Sequence, residues 1–160
     1  MKHHLISMLC TLWLLLSTMS AQGQSAALHT SRIFDGGVVP PERMVLTRVS
    51  GKALARYQLS YYRSARFKAT ATEAETVAAL VAKDKALCDR NHLSAQTVKR
   101  NSDGIRTEST VFALPPEKRL NRFISLITQK DAQGQTLVTL IYMEGTVKDV
   151  RQLGKLINKP

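Results

Sequence analysis

This chain of 160 residues is defined first by what it lacks. No apolar run approaches the ~20 residues a helix needs to cross a bilayer; the longest, Leu5 to Leu16, is about a dozen. There is no Gly-x-Ser-x-Gly turn, no His-Glu-x-x-His, no phosphate-cradling glycine loop and no calcium loop. Cysteine is scarce too. Of the two, Cys10 lies near the start and only Cys88 falls in the body of the chain, so no disulfide framework supports the fold. No internal repeat or low-complexity tract is present. Acidic residues are thin: 12 Asp and Glu stand against 23 Lys and Arg, and none falls between Arg43 and Thr72.

What is present begins with an address. Met1-Lys2-His3-His4 is a basic head, Leu5 to Leu16 an apolar middle, and Ser17-Thr18-Met19-Ser20-Ala21 a small-residue exit. These are the three parts of a cleavable secretory leader. Cleavage is expected after Ala21, with the bond after Gly23 as the alternative. Cys10 sits within the apolar run and does not close it, which argues against a lipidated cysteine. The sequence therefore predicts an exported protein, periplasmic or extracellular, with no transmembrane anchor after processing. The remaining 139 residues suffice for one domain with its own core. The basic excess favours anionic partners. In the envelope these are acidic glycans, lipid headgroups or proteins; nucleic acid is not expected.

Residues 22–42 read as a flexible tether, with Gly36-Gly37 and Pro40-Pro41 opposing regular structure. Within it, Ser31 to Phe34 form a single turn that docks Ile33 and Phe34 on the domain. Residues 43–160 then read as a single domain. Val45, Thr47 and Val49 alternate as a strand, and a second strand runs from Ala53 to Phe67. In that alternation Tyr57, Leu59 and Tyr61 share one face, while Arg56, Tyr62, Arg66 and Lys68 share the other. Thr72 with Glu75, or Thr70 with Glu73, fits a capping box opening a helix. Its stripe is Val77, Leu80, Val81, Leu87 and Cys88, through about residue 90. Asp103-Gly104 joins strands near Ala95–Asn101 and Ile105–Leu114. Leu120–Thr128 and Thr136–Met143 are apolar on both faces in places, as central strands are. Thr146 caps a last helix, whose Val147, Val150, Leu153 and Ile157 face the sheet, with Gly154 permitting close approach. The order ββ-α-ββββ-α predicts an α+β fold: a mostly antiparallel sheet of about six strands, with two helices packed on one face.

Few residues suggest chemistry. Asp84 falls in the middle of the apolar stripe of the first helix, where a carboxylate must be paired or neutral. It reads as a structural partner of a sheet arginine such as Arg63, or else as a general acid or base with a raised pKa. Asp84, Cys88 and His92 are spaced four apart, but they lack a fourth ligand, and no metal site is expected. His29 and His92 stand near no nucleophile motif, and no cofactor or catalytic residue is assigned. The feature with leverage is the basic strand, with seven Lys and Arg from Arg43 to Lys68. Arg56, Arg66 and Lys68 around Tyr62 make a candidate contact for an anionic partner, although exposed strands also carry cations to limit aggregation.

Four ordered segments carry a resemblance: Tyr57-x-Leu59-Ser60-x-Tyr62-Arg63-Ser64, Leu80-Val81-x-Lys83-Asp84-Lys85, Leu120-Asn121-Arg122-Phe123-Ile124, and Thr139-Leu140-Ile141-Tyr142-Met143-Glu144-Gly145. Together, over roughly Arg32 to Ile157, the chain resembles small exported proteins of Bacteroidota grouped as domains of unknown function. The resemblance implies an envelope location and an α+β domain, and brings no activity with it. The expectation is an exported, non-enzymatic binding module of the cell envelope. The alternatives are a small envelope hydrolase using Asp84, or a structural protein that self-assembles through a sheet edge.

Overall fold

The computed structural model describes residues 28–88 and 95–157. The expected leader, residues 22–27 of the expected tether, and His92 lie outside the described residues. Six strands form one antiparallel sheet: β1 (Met44–Ser50), β2 (Leu59–Ala69), β3 (Ala95–Ser102), β4 (Ile105–Glu117), β5 (Leu120–Lys130) and β6 (Thr136–Gly145). Their spatial order is β1-β2-β6-β5-β4-β3, so the last strand inserts between the first hairpin and the later meander. Among the described residues, three helices accompany them: α1 (Ser31–Phe34), α2 (Ala71–Ala86) and α3 (Val150–Ile157). Two 3₁₀ segments, Pro41–Arg43 and Gly51–Tyr57, flank β1. The protein is α+β.

The first face of the sheet carries Phe67, Phe112, Ile124, Val138, Leu140 and Tyr142, all buried. Helix α2 covers it with Val77, Leu80 and Val81, each worth ~2 kcal/mol of apolar burial. The chain before β1 completes the cover: Leu28, Ile33, Phe34 and Val39 are buried in the same core. The turn at Ser31–Phe34 thus docks as the sequence suggests. From Leu28 onward, the stretch read as a tether is built into the domain.

The two helices do not share a face, and this corrects the expected packing. Val147, Val150 and Leu153 bury against Phe123 and Met143, whose side chains point away from α2. The reason is that α2 and the amino-terminal segment already fill the first face. At Gly145 the chain turns to the other side, where the backbone of Gln58 and Leu59 crosses so closely that a Cβ would meet the Leu59 Cα at 2.8 Å. The Thr146 amide donates to the Gln58 carbonyl there at 2.9 Å.

Local chemistry shifts several boundaries. Thr70 and Glu73 form the capping box of α2, the second of the two starts considered, and Arg43 grips the Glu73 carboxylate through two nitrogens at 2.7 and 3.1 Å. Helix α2 ends at Ala86, which leaves Leu87 about half exposed and outside the buried stripe. Asp149, rather than Thr146, caps α3: its carboxylate accepts the Gln152 amide at 2.8 Å. The second strand starts at Leu59, not Ala53. Gly51–Tyr57 coil into a 3₁₀ turn that closes on Gln58, whose φ of 56° is left-handed.

Candidate functional site

The second face of the sheet is only partly covered. The 3₁₀ turn and α3 close one end over Leu59, Phe123 and Met143. Beyond them lies a cavity of about 680 Å³, within the range of small-molecule sites. Its floor is Tyr62, Ile141, Ser125, Ile127, Ser109 and Val111, from four neighbouring strands. Leu54, Tyr57, Leu153 and Gly154 wall the closed end, and Val98 and Arg100 of edge strand β3 reach it from the other side. Most of the lining is apolar. Among the described residues, it includes no Asp, Glu, His or Cys.

Three local features hold this space open. A bulge between Leu59 and Tyr61 in the β2–β6 pairing reverses the strand's alternation. Leu59 and Tyr62 therefore both face the cavity side, and Tyr61 faces the first core. Helix α3 is tied to the start of β2 by the Gln152 amide donating to Gln58 Oε1 at 3.2 Å. Gly154 does not draw α3 tight against the sheet, as its position suggested. A Cβ there would meet nothing within 4 Å, and the missing side chain leaves room in the cavity.

Of the four candidate contact residues, three share the second face and one does not belong to the strand. Tyr62 is half-buried and lines the cavity. Arg66 and Lys68 follow on the same face and are exposed. Arg56 sits in the 3₁₀ turn, with its guanidinium carbon 4.6 Å from the Tyr57 ring centroid. Sequence reasoning missed Arg100, since β3 had no visible relation to β2, and it missed Gly145 as a backbone crossing point. The signal for the cavity was present in Ser109 and Ser125, small polar residues at positions where a filled core would carry larger apolar ones.

Asp84 is fully buried, and its partners are not those expected. Its carboxylate accepts the His29 amide at 2.7 Å, the Thr30 amide at 2.9 Å and the Thr30 hydroxyl at 2.6 Å. Arg63 instead bonds the Phe34 carbonyl at 3.1 Å and Asp35 at 3.0 Å, and lies over the Phe34 ring. Asp84 thus anchors the amino-terminal turn to α2. Cys88 is buried and donates to the Ala113 carbonyl at 2.9 Å; burial, and then the Asp84 charge, push its thiol pKa up. Among the described residues, no group of three His, Cys, Asp or Glu is placed to hold a metal ion.

A polar cluster closes one end of the first face. The Tyr142 hydroxyl donates to buried Glu144 at 2.6 Å, and Arg122 donates to Glu117 at 2.7 Å and to the Pro115 carbonyl at 2.9 Å. Burial, followed by the bond to Glu144, raises the Tyr142 phenol above its ordinary range. Tyr142 and Glu144 stand two apart on β6, and Arg122 of β5 pairs across to Glu144; among the described residues no buried side-chain polar atom lacks a partner.

Sheet, helices and cavity together define an α+β protein with the centre of one sheet face covered and the other face opened around an apolar hollow. The chain belongs to a family of unknown function (DUF6108), whose model matches residues 15–157. No curated protein matches it, and no solved structure does.

Proposed function

We propose that this protein is a non-enzymatic binding module of the cell envelope, and that the cavity on its second sheet face receives a small apolar or amphiphilic ligand. The observation that carries this reading is the hollow of about 680 Å³ between the sheet, the 3₁₀ turn and α3. Its volume, its apolar lining and its few polar groups match what ligand pockets offer. Among the described residues, the lining holds none of the carboxylate, imidazole or thiol groups that acid–base or nucleophilic chemistry uses most often. The basic head, apolar run and small-residue exit of the first twenty-one residues support export.

The test is fluorescence of a neutral apolar dye, N-phenylnaphthylamine, with the wild type and with Gly154→Phe. The phenyl group would project into the hollow from an open position. The wild type should brighten the dye saturably, and the variant should not while keeping its thermal transition. Equal brightening by both would remove the cavity as the site.

A further inference from the structure

The strand register gives the second face a polarity that its apolar lining alone does not reveal. Lys68 pairs with Leu137, Leu137 with Gln129, Gln129 with Thr107, and Thr107 with Arg100. Lys68 and Arg100 therefore stand on one rung of the sheet, at opposite sides of the same face. Arg66 stands one step inward, on the rung of Thr139, Ile127, Ser109 and Val98. These three cations are the charged residues at the described strand positions of this face; the nearest acids at this end, Asp103 and Asp131, lie in the turns beyond the strands. At the other end, where α3 and the 3₁₀ turn close over the sheet, the side chains are Leu54, Leu59, Phe123, Met143 and Leu153. Met143 and Leu137 are six residues apart on β6, so the apolar closed end and the cationic open end lie roughly 20 Å apart.

From this arrangement we infer that the ligand is a single-chain amphiphile with an anionic head. The inference rests on the reading of this face as a ligand site. Its hydrocarbon tail lies along the floor of Tyr62, Ile141 and Ile127 toward Leu153, and its head meets Arg100, which lines the cavity itself. Arg66 and Lys68 add positive potential across the mouth. An apolar hollow alone would take a neutral chain equally well. A mouth whose described strand positions bear three cations and no acid attracts a carboxylate or phosphate and repels a cationic head. Because all three cations are exposed, the preference weakens as salt rises.

The experiment is displacement of N-phenylnaphthylamine by laurate and by dodecanol, which share a tail and differ in head charge. It is run on the wild type and on the combined Arg66→Glu, Lys68→Glu, Arg100→Glu variant, with circular dichroism to confirm its fold. The wild type should prefer laurate by about tenfold at low salt, and the variant should lose that preference. Equal displacement by both amphiphiles, or a preference that survives charge reversal, overturns the anionic head and leaves the cavity reading standing. If neither amphiphile displaces the dye, both readings fall. Co-sedimentation with anionic vesicles, coupled with no displacement by monomeric laurate, overturns the inference in favour of a membrane surface.

Discussion

The Asp84 carboxylate accepts both the amide and the hydroxyl of Thr30, at 2.9 and 2.6 Å, across fifty-four residues of chain. With the His29 amide it gathers three donors in the core, and so fixes the segment that delivers Ile33 and Phe34 to the first face. Asp84→Ala strands those donors and should cost roughly 3 kcal/mol of unfolding free energy. Asp84→Asn keeps one acceptor oxygen and should cost less. Urea unfolding measures both, and hydrogen exchange at the His29 and Thr30 amides should quicken in both. Exchange that stays as slow as in the wild type would mean the anchor is not what holds this turn.

The start of α2 offers a pH-dependent test. Thr70→Ala removes the side-chain cap and should cost about 1 kcal/mol. The hydrogen bonds from Arg43, and then from the Thr70 amide, hold the Glu73 pKa below the usual carboxylate value. A carboxylate depressed in the folded state stabilises above its unfolded pKa, and the contribution disappears as pH falls through the folded value. Glu73→Gln should therefore be less stable than wild type at pH 7, and the gap should close below about pH 4. A gap that persists in acid would show that charge is not its source.

Tyr142 responds at the other end of the scale. Its phenol is raised chiefly by burial, so in the native state it stays protonated where an unfolded tyrosine ionises, near pH 10. The folded state then holds the extra proton, and stability declines as pH rises past that point. Tyr142→Phe should cost about 1 kcal/mol at neutral pH and flatten this alkaline decline. Tyrosinate absorbance provides a second check: the variant's native titration below unfolding should match that of the wild type.

Two glycines should respond oppositely to the same substitution. A methyl group at Gly145 would press on the backbone of Gln58 and Leu59, so Gly145→Ala should destabilise by about 2 kcal/mol or more. Gly154 sits in α3 with open space around its Cβ, so Gly154→Ala should stabilise by up to about 1 kcal/mol. Thermal melts of the two variants that moved in the same direction would contradict the placement of α3.

Much of the fold was legible because its signals are local. The Asp103-Gly104 turn has both residues at positive φ and joins β3 to β4, and the two-sided apolar character of β5 and β6 marks the sheet centre. That same character implied a cover on each face, which the single helical layer expected from the sequence could not supply. The error in β2 also has a local cause. Alternation from Ala53 runs unbroken in the sequence, but a left-handed Gln58 and the bulge before Tyr61 shift its parity. The partners of Asp84 were hidden because two of its three donors are backbone amides, which leave no trace in side-chain identity. Likewise Arg66, Lys68 and Arg100 meet only through a register spanning five strands.

The position of β6 sets the order in which the molecule can be completed. The β1–β2 hairpin and the β3–β4–β5 meander make no strand pairing with each other; β6 bridges them, and it follows all five of the other described strands along the chain. Until residues 136–145 emerge, the chain can form at most two separate pieces, each with an unpaired edge where β6 belongs. Closing the sheet then joins residues as distant as Leu59 and Gly145 in one late step. Such long-range closure slows folding relative to a sheet built from local hairpins alone. A chain stopped short of β6 would stay open and ready to aggregate, whereas one held unfolded until it is whole can close in a single event.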